Sequence, residues 1–385
     1  MEITLENIKN LGTNKSENNL DLLIDLFNNK KSIKFDVKRE VISSIGRQSN
    51  EQKIYNFIKL NVFNCGYMEL VYQMYRTCLY KSKNYKFKLL ADEIYKYFNN
   101  EVLIKMKEYY DYKHNVLKSK NFINKNKKNK ITKPTLLVGN NIETLKKIQD
   151  KQIQFIFTSP PYYNARKYSD YKSYAEYLNS MFNTLKECYR VLEDGRFIII
   201  NVSPVITKRP GREFESIRYP IHFDFHNILT KAGFYFIDEI IWIKPESAVK
   251  NRNGGYQQTR MPLSYKPNCI TESLLVYRKY APFLLDKNIH KYDKSFANDK
   301  SKFDTSNCWY ISPKSDKNHP AVFPDKLCEK VLKYYSFKTD IVMDPFAGSG
   351  TFGKVAKNMG RIPVLCEINE EYCNLIRGYG YYDEF

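Results

Sequence analysis

The chain has 385 residues, 43% of them hydrophobic, which is enough to bury a sizeable core and indicates two or three domains. Lys and Arg outnumber Asp and Glu by 62 to 42, and the resulting formal net charge of +20 is typical of a protein that binds a polyanion such as nucleic acid, although biased codon usage would also enrich Lys. A signal peptide, a membrane-spanning run and Cys/His spacing for a zinc site are all missing from the sequence, so we expect a soluble, cytoplasmic protein without a metal.

The N-terminal part of the chain has apolar residues at helical spacing. Val37, Val41 and Ile45 recur every fourth residue after Asp36, which we expect to be a helix N-cap. Further residues continue the spacing: Ile54, Phe57, Ile58, Met68, Val71, Tyr75, Cys78, Leu90, Ile94 and Phe98. Residues 1–117 are therefore predicted to form an all-helical domain, most simply a helical bundle.

A basic segment follows this domain. Residues 118–133, KSKNFINKNKKNKITK, contain seven Lys and no acidic residue. Such a segment repels itself and has little apolar surface to bury, so we interpret it as a linker. It is either a solvated spacer or a basic strap along a phosphate backbone.

From residue 134 to the C-terminus the pattern changes to short apolar strands that alternate with helices. Strands are predicted at 135–139, 152–159, 197–202, 239–245, 272–279, 339–346 and 363–369, and a long helix at 174–192. This alternation is the signature of an α/β fold with a doubly wound, largely parallel sheet.

Residues 246–309 depart from this rhythm. They are rich in Asn, Lys, Arg, Tyr and Gly, and we expect them to form an insertion on the sheet. Arg252, Arg260 and Lys266 are candidates for contacts to phosphates or bases, which would make this the main target-recognition region.

The sharpest local signal is TSPPYY, residues 158–163, at the end of a predicted strand. Two consecutive prolines cannot extend a sheet ladder, so the strand must stop where its carboxyl end opens onto a ligand crevice. Ser159 and the carbonyl of Pro160 then act as hydrogen-bond acceptors beside the ring of Tyr162, an arrangement that suits a flat substrate with an amino group. A Pro-rich turn with an aromatic ring packed on it is the simpler alternative.

A second signal, DPFAGSGTFG at residues 344–353, is a strand end followed by a Gly-rich turn that opens a helix. Glycines let the backbone approach a cofactor closely, and Glu367 at the end of the next strand could accept ribose hydroxyls. A P-loop is excluded because Val355 stands where a hydroxyl must hold Mg²⁺. A nicotinamide dehydrogenase is disfavoured because only a short tail follows the loop.

SPPY followed by DPFAGSGT resembles the β class of DNA amino-methyltransferases over residues 134–376. HPAVFP, residues 319–324, resembles the element before the cofactor strand in that class. LLVGNNIETL, residues 136–145, resembles another conserved element, in which Asn140 replaces the usual Asp, so this position has no carboxylate for a contact to the cofactor.

The resemblance implies a Rossmann-like methyltransferase sheet and S-adenosylmethionine as the cofactor. It places the following residues in the cofactor site: Asp344, Phe346, Gly348, Gly350, Thr351, Glu367, Asn140, His319 and Pro320. It assigns catalysis to Ser159, Pro160, Pro161 and Tyr162. The reaction implied is direct methyl transfer to the exocyclic amino nitrogen of a base flipped out of double-stranded DNA and stacked on Tyr162.

Ser159 favours cytosine N4 as the acceptor, because adenine N6 enzymes of this family usually carry Asp or Asn at that position. Adenine N6 methylation remains the alternative within the family, followed by RNA or protein-glutamine methylation. Cytosine C5 methylation would need a Pro-Cys nucleophile, and no Cys follows a Pro. A non-catalytic nucleic-acid scaffold is a further alternative. A cognate restriction endonuclease is a candidate partner, and the oligomeric state is left open.

Overall fold

The structure is a computed structural model that describes residues 4–29, 34–111, 131–163, 171–207, 211, 213–214, 216–249, 267–281, 304–314 and 322–383. The chain divides into two compact units, residues 1–125 and 126–385. The division falls inside the segment predicted as a linker, most of which lies outside the described residues. No helix in the described ranges is both long and apolar enough to cross a bilayer.

The elements of regular secondary structure in the described residues of the first unit are all helices. Its helices are α1 Leu5–Thr13, α2 Glu17–Asn29, α3 Phe35–Arg47, α4 Glu51–Asn61, α5 Met68–Tyr80, α6 Tyr85–Phe98 and α7 Glu101–Asp111. The apolar stripes identified in the sequence, including Val41 and Ile45, form one buried core. The predicted N-cap is wrong: α3 begins after Lys34, and Asp36 lies in its first turn, where a negative charge is favoured by the helix dipole.

The second unit contains one large sheet. Its strands are β1 Thr135–Val138, β2 Ile153–Thr158, β3 Leu192–Val202, β6 Tyr235–Ile243, β7 Thr271–Arg278, β8 Cys308–Tyr310, β9 Ile341–Asp344, β10 Ile362–Glu367 and β11 Tyr382–Asp383. The short strands β4 Val205–Ile206 and β5 Arg218–Tyr219 pair separately. The nine strands run in the order β11-β1-β10-β9-β2-β3-β7-β6-β8.

Helices in the described residues connect these strands: α8 Asn141–Lys146, α9 Tyr174–Val191, α10 Ile221–Lys231, α11 Asp325–Tyr335, α12 Thr351–Asn358 and α13 Glu370–Gly378, together with a short 3-10 helix Glu246–Ala248. Strand β7 runs antiparallel to β3 and β6, and the other pairs in the large sheet are parallel. The predicted Rossmann-like α/β fold is confirmed.

Both faces of the sheet are buried. In β2, Ile156 joins one apolar cluster, whereas its neighbours Phe155 and Phe157 join the cluster on the opposite face. Side chains of a strand alternate between faces, so an almost continuous apolar run is what a strand covered on both sides requires.

The range 246–309 is not one continuous insertion. Residues Thr271–Arg278 form β7, which is hydrogen-bonded between β3 and β6 in the large sheet. The strand predicted at 272–279 is thus confirmed, and its apolar residues Leu274, Leu275 and Val276 are buried.

The order of the strands places a crevice between β9 and β2. From β9 the chain continues to β10 on one side, and from β2 it continues to β3 on the other. The carboxyl ends of two neighbouring parallel strands that diverge in this way form the usual ligand site of an open α/β sheet.

Candidate active site

Two strand ends meet at the bottom of this crevice. Strand β9 ends at Asp344, which is 2% exposed, and the adjacent strand β2 ends at Thr158. Burial raises the pKa of the Asp344 carboxyl to about 7, although the Thr158 hydroxyl and the Phe346 N–H stabilise its ionised form and oppose the shift. A buried carboxyl with few donors can therefore change its charge near neutral pH.

The Gly-rich loop after β9 is held in shape by backbone and carboxylate contacts. Gly348 and Gly350 adopt φ values of +53° and +78°, which are unfavourable for other residues. The Gly348 N–H donates to Oε2 of Glu367 at 2.7 Å. The loop then leads into α12 at Thr351, and the N-cap Gly350 has no side chain to accept hydrogen bonds from the first turn of this helix.

Glu367 is a carboxylate anchored by three backbone N–H groups. Its Oε1 accepts the N–H groups of Ile368 at 2.9 Å and Asn369 at 2.8 Å. Burial raises the pKa of this carboxyl, and its three backbone donors counteract the shift. The carboxylate has a fixed orientation at the end of β10, beside the Gly-rich loop.

Gly350 faces the protein interior. A Cβ placed on Gly350 would lie 2.7 Å from Cγ1 of Ile376. Adding a side chain would therefore compress the core between β10 and α13, and a bulky substitution at this position would disturb the fold as well as any bound ligand.

Asn140 caps a helix. Its Oδ1 accepts the N–H of Ile142 at 2.9 Å, so this side chain begins α8. The neighbouring Asn141, which the sequence analysis missed, donates from Nδ2 to the carbonyl of Pro345 at 3.2 Å. Asn141 thus connects the end of β1 to the Gly-rich loop.

The SPPY segment follows β2 directly. The Ser159 hydroxyl donates to the carbonyl of Asn201 at 3.2 Å, and Pro160 is buried. Tyr162 is half-buried and packs against the core, and its hydroxyl donates to Oε2 of Glu272 at 3.1 Å. Burial of that hydroxyl, together with the nearby charge of Glu272, raises the pKa of Tyr162.

Three polar residues beside SPPY were missed by the sequence analysis. Asn201 lies at the end of β3, Glu272 at the start of β7, and Lys244 just after β6. Glu272 forms an ion pair with Lys244 and accepts a hydrogen bond from Asn201 Nδ2 at 2.5 Å. A polar residue at the end of an apolar strand was the available signal, but the pairing of these ends could not be read from it.

Five of the predicted residues lie outside the described ranges. These are His319, Pro320, Arg252, Arg260 and Lys266. The roles expected of them stay predictions. The described residues of the predicted catalytic and cofactor groups lie at the carboxyl ends of β2, β9 and β10 or directly after these strands. Asn140 is the exception, because it follows β1.

Known proteins are similar in sequence to part of this chain. The chain is 29% identical over 256 residues to the type II beta methyltransferase M.BslI of Bacillus sp. (strain NEB-606), covering 63% of this chain and 27% of M.BslI. It therefore spans little more than a quarter of that relative. It is also 27% identical over 249 residues to the DNA adenine methyltransferase YhdJ of Escherichia coli (strain K12), covering 63% of this chain and 80% of YhdJ.

A solved structure shares the fold. The PvuII DNA methyltransferase (cytosine-N4-specific) superposes with a TM-score of 0.50 at 18% identity, over 66% of this chain and 88% of that protein. The family described as DNA methylase, with N6 and N4 members, matches residues 153–378, which include SPPY, the Gly-rich loop and Glu367. The chain belongs to this N6/N4 DNA methylase family.

Proposed function

We propose that the protein transfers a methyl group from S-adenosylmethionine to an exocyclic amino nitrogen of a base in double-stranded DNA, with cytosine N4 as the favoured acceptor. The observation that carries this proposal is the hydrogen bond between Thr158 and Asp344. It brings the residue before SPPY and the first residue of the Gly-rich motif to one point in the crevice. A methyl donor and a base could then meet there.

The residues of the crevice fit the chemical groups of S-adenosylmethionine. Glu367, held by three backbone N–H groups, keeps one acceptor position, on Oε2, that is suited to a ribose hydroxyl. Asp344 supplies a second carboxyl deeper in the crevice, where it would favour the cationic end of the cofactor. The left-handed backbone at Gly348 and Gly350 allows a tight turn between these two carboxyls.

The SPPY segment would hold the acceptor base. When bound, S-adenosylmethionine supplies a methyl group on a sulfonium, which is a good leaving group. The Ser159 oxygen and the Pro160 carbonyl would accept the N–H bonds of the amino group and direct its lone pair toward the methyl carbon. The ring of Tyr162 would stack on the flipped base, and the amino group would release one proton to water as the new bond forms.

Adenine N6 is the second candidate acceptor. Ser159 supports cytosine because it is a neutral hydroxyl where adenine enzymes of this family usually carry Asp or Asn. The similarity to YhdJ, a protein named as an adenine methyltransferase, supports adenine. Both bases present an amino group beside a ring nitrogen, so both are compatible with the roles proposed for Ser159 and Tyr162.

Product analysis tests the proposal. The protein is incubated with duplex DNA and labelled S-adenosylmethionine, the DNA is digested to nucleosides, and N4-methylcytosine is expected. N6-methyladenine would change the base but leave the proposed crevice chemistry in place. Recovery of 5-methylcytosine, or no transfer to DNA at all, would refute the mechanism.

Two variants test the proposed roles in SPPY. Ser159→Ala removes one acceptor, and Tyr162→Ala removes a stacking face worth on the order of 1–3 kcal/mol. Both should lower turnover more than affinity for S-adenosylmethionine. Tyr162→Phe is the matched control because it keeps the ring and removes only the hydroxyl. Full turnover of Tyr162→Ala would contradict stacking.

The remaining parts of the chain would serve DNA binding. We propose that residues 246–309, apart from β7, recognise the target, and that residues 1–117 extend the DNA-binding surface or bind a partner such as a cognate restriction endonuclease. A chain beginning at Ile131 should then still bind S-adenosylmethionine. Loss of cofactor binding in a truncated protein that still unfolds cooperatively, and is therefore folded, would contradict this division.

A further inference from the structure

Glu272 is the centre of a polar network beside SPPY. Its Oε1 contacts Nζ of Lys244, and its Oε2 accepts hydrogen bonds from Nδ2 of Asn201 at 2.5 Å and from the Tyr162 hydroxyl at 3.1 Å. The side chains of Lys244 and Glu272 are only 17% and 13% exposed. A buried carboxylate with three donors is held firmly in one position.

This network determines which way the amide of Asn201 points. A carboxylate in an ion pair only accepts hydrogen bonds, so the amide of Asn201 must turn its NH₂ group toward Glu272. Its oxygen, Oδ1, then points away from Glu272. Asn201 is 2% exposed, and within the described residues no donor reaches Oδ1.

A buried acceptor without a donor calls for an explanation, because nearly all such groups in folded proteins are paired. The position of Asn201 suggests which donor is missing. Its Nδ2 lies 3.5 Å from Oγ of Ser159, and its own carbonyl accepts the Ser159 hydroxyl. Oδ1 is therefore an unused acceptor beside the residue that is expected to hold the amino group of the target base.

We propose that Oδ1 of Asn201 accepts an N–H of the exocyclic amino group of the target base, and that the Lys244–Glu272 pair is the positioning device that keeps this oxygen turned toward the base. The proposal rests on the proposed function. Asn201 would touch the substrate, whereas Glu272 would act only through Asn201 and Tyr162, since its oxygens are already engaged by three donors.

The substrate class follows from this arrangement. Asn201 Oδ1, the Ser159 oxygen and the Pro160 carbonyl together would present only acceptors to one edge of the base. Such a pocket favours a base with an amino group at that edge and rejects a base with a carbonyl there, because two acceptors would then face each other without a proton. The site would thus discriminate cytosine from uracil, or adenine from hypoxanthine.

A binding cycle on the full chain tests the proposal. Once product analysis has located the target base, two duplexes are prepared that differ only there, one with the amino base and one with its carbonyl counterpart. Affinity for each is measured for the wild type and for Asn201→Leu. The preference of the wild type for the amino duplex should fall roughly 5- to 50-fold in the variant.

The ratio separates a hydrogen bond from a structural effect. A distorted pocket weakens binding of both duplexes, and the different cost of opening each base pair cancels between wild type and variant. Asn374→Leu is the matched control, because Asn374 is an exposed amide of α13 whose oxygen accepts a hydrogen bond from Nη1 of Arg377. The preference of this control variant for the amino duplex should equal that of the wild type.

Glu272→Gln tests the positioning role with almost no change of volume, and it decides the question if Asn201→Leu does not fold. The amide of the new Gln can donate as well as accept hydrogen bonds, so it no longer holds the amide of Asn201 in a single orientation. The preference for the amino duplex should fall and kcat should drop about 10-fold or more, with an unchanged Kd for S-adenosylmethionine. Glu239→Gln, on the same strand pair, should change neither.

An unchanged preference in both folded variants overturns the role of Asn201, even though the enzyme still methylates DNA. Failure of the proposed function looks different, since no DNA base would then be methylated by the wild type. A lower preference in Asn201→Leu with a normal one in Glu272→Gln keeps Asn201 as a substrate contact and overturns the positioning role of Glu272.

Discussion

The Thr158 hydroxyl donates a 2.5 Å hydrogen bond to Oδ1 of Asp344, and the two residues are the last of two neighbouring parallel strands. The contact joins segments separated by 186 positions in the chain. A change in the charge of Asp344 therefore alters the hydrogen bond of Thr158, the residue that precedes SPPY. The contact joins the end of the crevice proposed for the cofactor to the end proposed for the base.

Affinity for S-adenosylmethionine should depend on pH through Asp344. Burial raises the pKa of this carboxyl to about 7, so below that pH it is largely neutral. A cationic ligand favours the ionised form, so binding at lower pH requires loss of a proton. Affinity should rise up to tenfold per pH unit below about pH 7 and level off above it. Calorimetry across this range measures the effect.

Two variants check the assignment to Asp344. In Asp344→Asn the rise should disappear, because the amide does not titrate. In Thr158→Val the rise should move to higher pH, because the ionised carboxyl loses a donor that lowers its pKa. A pH profile that is the same in the wild type and in Asp344→Asn would remove Asp344 from the cofactor site.

Glu367→Gln should weaken S-adenosylmethionine binding by about 10- to 100-fold. Both carboxylate oxygens of Glu367 accept backbone N–H groups, so the new NH₂ would face a donor and the side chain would turn. Glu371→Gln makes the same change on an exposed residue of α13 and should leave the affinity as it is. Equal Kd values for the two variants would contradict the role of Glu367.

Gly350→Ala should lower the free energy of unfolding by about 2–4 kcal/mol, because alanine is strained in a left-handed backbone and because its Cβ would overpack the core. The new Cβ would lie 2.7 Å from Cγ1 of Ile376. Gly378→Ala is the control, since no atom lies within 4 Å of a Cβ there. Denaturant unfolding of both variants provides the measurement. A Gly350→Ala protein as stable as the control would show that α13 can move away.

Replacing Arg252, Arg260 and Lys266 together with Ala should weaken DNA binding and flatten its salt dependence. Each phosphate contact removed lowers the slope of log K against log salt by about 0.9. The experiment is a titration of duplex DNA at several salt concentrations. Unchanged affinity, slope and sequence preference would place recognition elsewhere in the chain.

Local pattern was sufficient for the α/β fold, for the strands that carry SPPY and DPFAGSGT, and for the family resemblance. Apolar runs report burial within a few residues, and consecutive prolines or glycines restrict or free the backbone at the position where they stand. The apolar run at 272–279 predicted β7 correctly, whereas polar composition drew the 246–309 region across that strand, because the neighbours of a short strand say little about its own burial.

The sequence by itself placed the carboxyl ends of the seven predicted strands to within two residues; only the tertiary structure decided which of those ends meet. Thr158 and Asp344, or Asn201 and Glu272, carry no mark of their partner, because a hydrogen bond across a sheet depends on strand order and register. The same holds for Gly350, whose missing side chain faces Ile376 only because α13 packs there. Proximity in space is set by the burial of the whole sheet between its helices, a collective property that no short segment encodes.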